Sequence, residues 1–306
     1  MRILATGSAA PEATLTNDML SEMVETSDEW IRSRTGIQSR HIAKDETTLS
    51  LALEAATKAL GKAGIGRERI GVVICATVSN EMRCPSLACY LQRDLGLRED
   101  ILAFDLNAAC SGFIYALIVA SRFVNDDCYA LVVGTEVLSR FMDFTDRDTC
   151  VLFGDGAGAA LLAPGKAVEG KTVFQWVTQA KGNEDLLNIK DLIRMDGRSV
   201  FKFAVEALTS SITEVVKKAE MTLDEIDLFV CHQANERIIA NAAKRLGIPL
   251  ERFFMNLSRY GNTSAASIPI ALDEAVSTNA LHPGSTIVMA GFGGGMTAGA
   301  VCLSWG

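Results

Sequence analysis

The chain repeats one order of elements in its two halves, and this repeat limits the fold more than any other feature of the sequence. A helical pattern over residues 52–70 leads into the apolar run 71–80, and a second helical pattern over 204–226 leads into the apolar run 227–235. In both halves a further helix, strand, sharp turn and helix follow. Because such units bury their apolar faces against one another, the chain is predicted to fold as two similar halves.

The sharp turn of each half carries a polar residue. Cys110 follows the strand predicted in the first half, and Asn262 follows the strand that the repeat predicts within RFFMNLS in the second half. We expect the two residues to occupy equivalent positions. Both turns, and the helices that follow them, should therefore meet at the interface of the halves, near the approximate twofold axis that relates them.

The strand patterns predict sheets that are covered on both faces. Runs such as 130–133 and 286–290 are continuously apolar and lack the alternation of a sheet with one face in water. The helix after Cys110 is apolar nearly all round, which indicates a position in the interior. We therefore predict an α/β protein in which two sheets sandwich shared helices, divided into halves 1–163 and 164–306.

Composition excludes several classes of function. Lys and Arg number 29 against 37 Asp and Glu, so the net charge of −8 opposes general binding to nucleic acid or to an anionic membrane. The apolar stretch 113–120 is far shorter than the roughly 20 residues of a membrane-spanning helix. The eight cysteines show no CxxC spacing, and His41, His232 and His282 form no ligand motif. We therefore predict no metal site and a reducing, cytoplasmic setting.

Three side chains are candidates for chemistry. Cys110 lies at the start of a predicted helix, where unpaired N–H groups and the helix dipole favour a thiolate. His232 follows a buried strand, at the edge where α/β sheets present residues that contact ligands. Asn262 arrives from the second turn. Five cysteines in or beside apolar, strand-like runs are interpreted as packing residues: Cys75, Cys128, Cys150, Cys231 and Cys302.

Two glycine-rich segments do not indicate a nucleotide site. Segment 154–158 runs into another strand-like stretch instead of a helix, so it lacks the context of a dinucleotide-binding loop. Segment 293–295 is better suited to bringing a backbone N–H close to a ligand, because glycine has no Cβ to prevent the approach.

Taken together, the motifs resemble those of the β-ketoacyl-acyl carrier protein synthases III, the initiating condensing enzymes of the thiolase superfamily. The resemblance spans nearly the whole chain and rests on a series of motifs in order. They are TSDEWI from Thr26, RTGI from Arg34, AACSGF around Cys110, TDRDT around Arg147, FGDGAGA, HQAN at His232, GNTSAAS at Asn262 and FGGG near the end.

The resemblance implies a five-layer αβαβα fold built from two duplicated halves, and a homodimer. It implies a decarboxylative Claisen condensation in which an acyl-CoA primer and malonyl-acyl carrier protein yield β-ketoacyl-acyl carrier protein, CoA and CO2, which begins fatty acid synthesis. Coenzyme A enters as part of the substrate, and no cofactor is implied. The trio of Cys110, His232 and Asn262 is similar to that of the initiating type, whereas elongating enzymes carry Cys, His and His.

The resemblance also implies roles for individual residues. The backbone N–H groups of Cys110 and Gly294 would form the oxyanion hole, and small residues at Cys84 and Ala298 would enlarge the acyl pocket for branched or longer primers. The residues implied for coenzyme A and pantetheine are Thr26, Trp30, Arg34, Arg147, Gly197, Phe201 and Asn235. Those implied for docking the acidic carrier protein are Lys202, Arg237, Lys244 and Arg245.

Three alternatives remain open from the sequence. The same fold and chemistry would suit a starter synthase or acyltransferase of natural-product assembly, of polyketide or quinolone type. A Cys, His and Asn in this chain order would also suit a thioester hydrolase or a papain-like enzyme, although no C-G-S-C-W signature surrounds Cys110. The third alternative is a non-catalytic scaffold of the same fold, which would not need Cys110, His232 and Asn262 to be present together.

Overall fold

Two mixed sheets form the frame of the molecule, in a computed structural model that describes residues 1–165 and 173–306. The strands of the first half are β1 (Arg2–Ala9), β2 (Thr14–Thr16), β3 (Ser39–His41), β4 (Ile70–Ala76), β5 (Leu102–Leu106), β6 (Tyr129–Glu136) and β7 (Gly156–Ala163). Its helices are α1 (Asn17–Ser21), α2 (Asp28–Thr35), α3 (Thr48–Ala63), α4 (Leu87–Asp94), α5 (Gly112–Ala120) and α6 (Arg147–Cys150).

The second half begins with the long strand β8 and ends on a hairpin. Its strands are β8 (Phe174–Asn183), β9 (Leu187–Ile189), β10 (Ile193–Met195), β11 (Leu228–Cys231), β12 (Thr286–Gly293) and β13 (Gly295–Ser304). Its helices are α7 (Gly197–Lys218), α8 (Glu236–Leu246), α9 (Leu257–Tyr260) and α10 (Ser267–Ser277).

Each large sheet takes its strands from one half of the chain. The order is β1-β7-β6-β4-β5 in the first sheet and β11-β12-β13-β8 in the second. Both sheets contain a parallel pair next to an antiparallel one: β4 with β6 and β11 with β12 are parallel, and β6 with β7 and β12 with β13 are antiparallel. The repeat seen in the sequence is thus a repeat of sheet topology.

The strand predicted within RFFMNLS is absent from the described residues. The segment RFFMNLS, expected to form it, contributes a single parallel bridge from Phe253 to Phe229 of β11, and the two rings stack with centroids 4.8 Å apart. A 3-10 turn at Leu250–Arg252 and the start of α9 at Leu257 leave too few extended residues for a ladder. The prediction of a strand in this segment was therefore wrong.

The core confirms that both sheets are covered on both faces. On β4, Val73 and Cys75 pack under α3 and α4, whereas Val72 and Ile74 face α5 and α10. On β12, Val288 lies on the α7 and α8 side. The helices α5 and α10 fill the middle, which gives five layers of α, β, α, β and α. Continuous apolar strands are what such a double-covered arrangement requires.

One buried carboxylate ties the central layer to the first sheet. Asp273 of α10 accepts hydrogen bonds from Thr6 Oγ1 and Ser8 Oγ, both at 2.8 Å, and from Lys62 Nζ at 2.6 Å. Burial alone would raise the pKa of Asp273, but these three donors outweigh burial and hold the pKa below its ordinary value of 3.8. The ionised carboxylate therefore stabilises the folded state.

We predict that Asp273→Asn lowers the free energy of unfolding by about 2–3 kcal/mol at pH 7, because it weakens charge-assisted bonds in a buried setting. The wild-type advantage should be present above pH ~4 and be lost as pH falls through the lowered pKa of Asp273. Urea titrations of the wild type and the variant at several pH values measure the loss of unfolding free energy and its dependence on pH. Glu54→Gln removes the same charge from the exposed Glu54–Lys58 pair and should cost less than about 0.5 kcal/mol. Equal losses in the two variants would contradict the account.

Candidate active site

Two turns of the same shape lie at the centre of the molecule. The 3-10 turn Ala109–Ser111 leads into α5, and the 3-10 turn Ser264–Ala266 leads into α10. Ala109 has a φ of 46° and Ser264 a φ of 47°, an uncommon left-handed conformation for residues with a side chain. An asparagine two residues earlier caps each turn through its Oδ1: Asn107 accepts from Ala109 N at 3.2 Å, and Asn262 from Ser264 N at 2.9 Å.

This match corrects the predicted alignment of the repeats. Asn262 corresponds to Asn107, and the residue that corresponds to Cys110 is Ala265. The expectation that Cys110 and Asn262 are equivalent was wrong by three positions. Both residues precede a helix, and the sequence does not reveal the 3-10 turn that separates Asn262 from α10. The two turns do meet, as predicted.

Cys110 is held by the close approach of β12. A Cβ added to Gly293 would lie 2.6 Å from Cys110 N, so only glycine allows this contact. Cys110 is 6% exposed. It lies between two cavities, one of about 80 Å³ that it shares with His232 and Asn262, and one of about 820 Å³ that it shares with Ser264 and Gly294. The trio predicted from the sequence therefore lines one cavity.

His232 directly follows β11 and is fixed by a hydroxyl. Its Nδ1 lies 2.6 Å from Ser267 Oγ, and its ring meets Phe292 edge-on with centroids 5.1 Å apart. Ser267 Oγ also accepts from Gln233 N at 3.4 Å, so the hydroxyl hydrogen is free to be donated to Nδ1. We therefore assign the neutral tautomer with hydrogen on Nε2, which makes this atom a donor.

Asn262 is fixed by its backbone as well as by its Oδ1. Its N donates to Leu152 O at 2.8 Å, and its O accepts from Gly154 N at 3.1 Å. Because Oδ1 caps the Ser264 turn, Nδ2 is the end of the amide that can donate to a ligand. His232 and Asn262 thus offer two hydrogen-bond donors to one cavity.

The site is built to hold neutral groups. Burial raises the pKa of the Cys110 thiol to about 12; the nearby Ser264 hydroxyl opposes this rise, and the Glu136 carboxylate adds to it. Burial lowers the pKa of His232 to about 3. The resting pair is a thiol and a neutral imidazole. Burial therefore opposes the thiolate that the helix N-terminus is expected to favour.

Comparison with known proteins assigns the family. The model of the 3-oxoacyl-[acyl-carrier-protein (ACP)] synthase III family matches residues 104–182, and the model of its C-terminal part matches residues 216–305. The chain is similar to the β-ketoacyl-[acyl-carrier-protein] synthases III of Natranaerobius thermophilus, at 45% identity over 99% of both chains, and of Bacillus pumilus, at 46% identity over 99% of this chain and 98% of that protein. The chain belongs to the 3-oxoacyl-[acyl-carrier-protein] synthase III family.

Similar solved structures confirm the predicted fold. The 3-oxoacyl-[acyl-carrier-protein] synthase III of Aquifex aeolicus has a TM-score of 0.95 and 44% identity, with 99% of each chain covered. The priming β-ketosynthase of the R1128 polyketide pathway has a TM-score of 0.93 and 33% identity, with 99% of this chain and 96% of that chain covered. The predicted thiolase-like fold and acyltransferase class are therefore confirmed.

Trp30, which the synthase III resemblance implies for binding coenzyme A, lies close to two arginine side chains. The Arg147 guanidinium lies 4.7 Å from the centroid of the Trp30 ring, and that of Arg34 lies 5.6 Å away. Arg147 also donates to Glu25 O at 3.2 Å. At 4.7 Å no base fits between Trp30 and Arg147, so an adenine would stack outside the pair or displace Arg147. Thr26 Oγ1 is buried and has no hydrogen-bond partner among residues 1–165 and 173–306.

Three of the five residues implied for pantetheine line the smaller cavity, whereas Thr26 and Arg34 do not. Gly197, Phe201 and Asn235 all lie on its wall with the trio. Asn235 also has a structural task, because its Oδ1 caps α8 by accepting from Arg237 N at 2.8 Å and its Nδ2 donates to Arg34 O at 3.0 Å. The binding role of these residues stays a prediction.

The two residues implied for the acyl pocket line neither cavity in the single chain. Cys84 is exposed, and Ala298 is buried between the second sheet and α7. Gly294, implied for the oxyanion hole, does line the larger cavity beside Cys110. The four cations implied for carrier docking are exposed on α7 and α8, and none forms an ion pair in the described residues: Lys202, Arg237, Lys244 and Arg245.

Two residues near Cys110 were not predicted from the sequence. Glu136 ends β6 and is fully buried, and Ser264 lies in the turn opposite Cys110. A carboxylate that ends an otherwise apolar buried strand is the signal that could have identified Glu136. In the described parts of the chain we find neither a cluster of metal-ligating side chains nor a helix long and apolar enough to cross a membrane.

We predict that His232 stays neutral between pH 8 and pH 5, because its pKa of about 3 lies well below this range. The measurement is the 15N spectrum of the protein labelled at its three histidines, with the His232 signal identified by its loss in His232→Asn. An imidazolium that appears with a midpoint near pH 6–7 would contradict the assignment of a neutral pair.

Proposed function

We propose that the protein condenses an acyl-CoA primer with malonyl-acyl carrier protein to give β-ketoacyl-acyl carrier protein, CoA and CO2, as the first condensation of fatty acid synthesis. The observation that carries the proposal is the meeting of Cys110, His232 and Asn262 on one small cavity. Its relatives at about 45% identity are named for this class of reaction.

Acyl transfer to Cys110 comes first. The sulfur attacks the thioester carbonyl, and coenzyme A leaves as the thiol, so the acyl group is stored on the enzyme. The backbone N–H groups of Cys110 and Gly294 are proposed to stabilise the oxyanion, which agrees with the cavity that both residues line. The pantetheine arm is proposed to reach the sulfur through the smaller cavity, past Gly197 and Phe201.

Carbon–carbon bond formation follows. Loss of CO2 from the malonyl thioester leaves an enolate whose oxygen carries the developing charge. Two neutral donors suit this oxygen, and the geometry offers His232 Nε2 and Asn262 Nδ2. No base is needed, because decarboxylation supplies the electron pair that attacks the acyl group on Cys110. A neutral His232 that donates a hydrogen bond therefore suits this condensation better than a hydrolysis, in which the histidine would have to act as a base.

A homodimer is proposed through the open edge of the first sheet. Strand β5 pairs with β4 on one side and with no other strand of the described chain, and Leu102 on it is 46% exposed. An apolar edge strand that stays uncovered promotes association. A second copy at this edge would bring the exposed Cys84 of one chain towards the other, which is the arrangement that the acyl-pocket prediction needs. Ala298 gains no such support.

A second candidate is the priming of a natural-product pathway by the same chemistry. The observation in its favour is the 33% identity and the TM-score of 0.93 to the R1128 priming β-ketosynthase. Products formed with fatty-acid and with polyketide carrier proteins, compared at equal concentration, separate the two. Faster transfer to the fatty-acid carrier supports the first proposal.

We predict that the three site variants fail at different steps. Cys110→Ala should form no acyl-enzyme from acyl-CoA, whereas Cys128→Ala, which removes a thiol remote from the cavities, should form it normally. His232→Ala and Asn262→Ala should form the acyl-enzyme but discharge it to malonyl-acyl carrier protein about 100-fold more slowly, because each removes an enolate donor. Rapid quench and intact-mass analysis follow both steps. If His232→Ala and Asn262→Ala lost acylation but kept normal discharge, the proposed role of the two residues would be contradicted.

We predict that Lys244→Glu raises the KM for malonyl-acyl carrier protein about tenfold at low salt and leaves the KM for acyl-CoA unchanged, because reversal of an exposed charge weakens attraction to an acidic partner. Lys44→Glu changes the net charge equally on a loop of the first half, where Lys44 is exposed, and is the matched control. An equal rise of this KM in both variants would contradict the docking proposal, because it would show an effect of net charge alone.

A further inference from the structure

Two hydroxyl groups next to the turn that carries Cys110 have no part in the mechanism described so far. Ser111 Oγ and Thr297 Oγ1 are 2.6 Å apart, although 186 positions separate the two residues in the chain. Ser111 is fully buried, and Thr297 of β13 is half-buried. Neither residue lines the cavities around Cys110, so both act on the reaction only through the backbone that they hold.

The pair links the two backbone segments that carry the proposed oxyanion donors. Ser111 Oγ donates to Ala108 O at 2.8 Å, two residues before Cys110, and Thr297 Oγ1 lies 3.1 Å from both Ala108 O and Gly294 O. The two hydroxyls have one hydrogen each to share among these contacts. Because a single hydrogen can serve only one of the two carbonyls, removal of either hydroxyl leaves at least one segment without its bond.

Gly294 depends on this support because it lies beyond the ladder of the last hairpin. Gly293 of β12 and Thr297 of β13 are the final pair of that ladder, and Gly294 belongs to the connection between the two strands. Glycine has wide backbone freedom in such a connection. The Thr297 hydroxyl therefore restricts Gly294 where the hydrogen bonds of this hairpin end.

The matching turn of the second half indicates that the Ser111 hydroxyl is not needed to form the turn itself. Ala266 holds the equivalent position, with φ −79° and ψ −17°, against φ −88° and ψ 1° at Ser111. Both turns are closed by the same backbone bond, from Ser111 N to Ala108 O at 3.2 Å and from Ala266 N to Thr263 O at 3.0 Å. The turn with the nucleophile has the hydroxyl, and the turn without a nucleophile does not.

Acyl transfer is the step that requires precise placement of this turn. Attack of Cys110 on a thioester carbonyl gives a tetrahedral intermediate whose oxygen carries a negative charge. Two backbone donors stabilise that charge only when both point to the same oxygen. A displacement of one donor by about 1 Å can slow such a reaction about 100-fold.

We propose that the Ser111 and Thr297 hydroxyls are positioning groups that hold the backbone N–H groups of Cys110 and Gly294 at the spacing that one oxyanion requires. This inference rests on the proposed function and deepens its first step.

The first test removes one hydroxyl at a time with little change of shape. At saturating acyl-CoA, Ser111→Ala and Thr297→Val should each form acyl-Cys110 about 30-fold more slowly. The acyl-CoA concentration that gives half of the maximal rate should change less than about threefold, because neither residue lines the cavities. The double variant should be no slower than the slower single variant, since the two hydroxyls act as one unit. Rapid quench and intact-mass analysis measure these rates.

A spectroscopic readout separates positioning from a general effect on folding. The carbonyl stretch of acyl-Cys110, formed from acyl-CoA with a 13C-labelled carbonyl, reports how strongly the two donors polarise the thioester. In the wild type the band should lie at a lower frequency than in Ser111→Ala and Thr297→Val. A variant that is merely less stable would give less acyl-enzyme, with the band at the wild-type position.

Two control variants accompany the test. Thr297→Ser keeps the hydroxyl and should restore acylation to within about threefold of the wild type. Thr135→Val makes the same change at another buried threonine, whose hydroxyl donates to Thr48 O at 2.9 Å on the α3 side of β6. Acylation in Thr135→Val should be normal, because this residue lines neither cavity.

Three results would overturn the proposal. They are normal acylation in both Ser111→Ala and Thr297→Val, slow acylation with an unshifted carbonyl band, and equal slowing by Thr135→Val and Thr297→Val. If Thr297→Val does not fold, Ser111→Ala decides the question alone, because the matching turn accepts alanine at Ala266.

Failure of this inference is distinct from failure of the proposed function. A wild type that forms acyl-Cys110 and discharges it, with unaffected variants, overturns the role of the hydroxyl pair and leaves the condensation intact. A wild type that never forms acyl-Cys110 overturns both.

Discussion

The close packing of two turns on two central strands is the constraint on which the site depends. Each turn crosses a strand at a glycine: the turn with Ala265 passes Gly134 of β6, and the turn with Cys110 passes Gly293 of β12. A side chain at either glycine would collide with the backbone of the turn, so the halves could not come this close. The five-layer fold brings the turns together, and these contacts set their positions.

This packing also has an electrostatic consequence. A site enclosed between two sheets excludes water, which makes isolated charges costly and hydrogen-bond donors effective. Cys110 and His232 are accordingly neutral at rest, with the imidazole oriented by Ser267. A condensing enzyme that stabilises an enolate gains from such a setting, because neutral donors stabilise charge that appears only during the reaction. Glu136 is a fully buried carboxyl that lies near enough to Cys110 to raise the pKa of this thiol further.

The sequence predicted the features that depend on pattern. Duplication, double-covered sheets and the meeting of Cys110, His232 and Asn262 all follow from element order and from apolar periodicity. It did not predict features that depend on backbone angles or on desolvation. The register of the Asn262 turn required the φ of Ser264, and the neutral state of Cys110 required the depth of its burial. The family resemblance indicated Cys110, His232 and Asn262, which line one cavity, but not Ser264, which lines the neighbouring cavity with Cys110.

The most direct test of the account is a crystal structure of the protein reacted with an acyl-CoA. The account predicts continuous density from Cys110 Sγ into the larger cavity, with the thioester oxygen within hydrogen-bond distance of Cys110 N and of the backbone N–H at Gly294. His232 Nε2 and Asn262 Nδ2 should point together into the smaller cavity. An acyl group on any other residue, or a thioester oxygen turned towards His232 and away from the backbone, would contradict it.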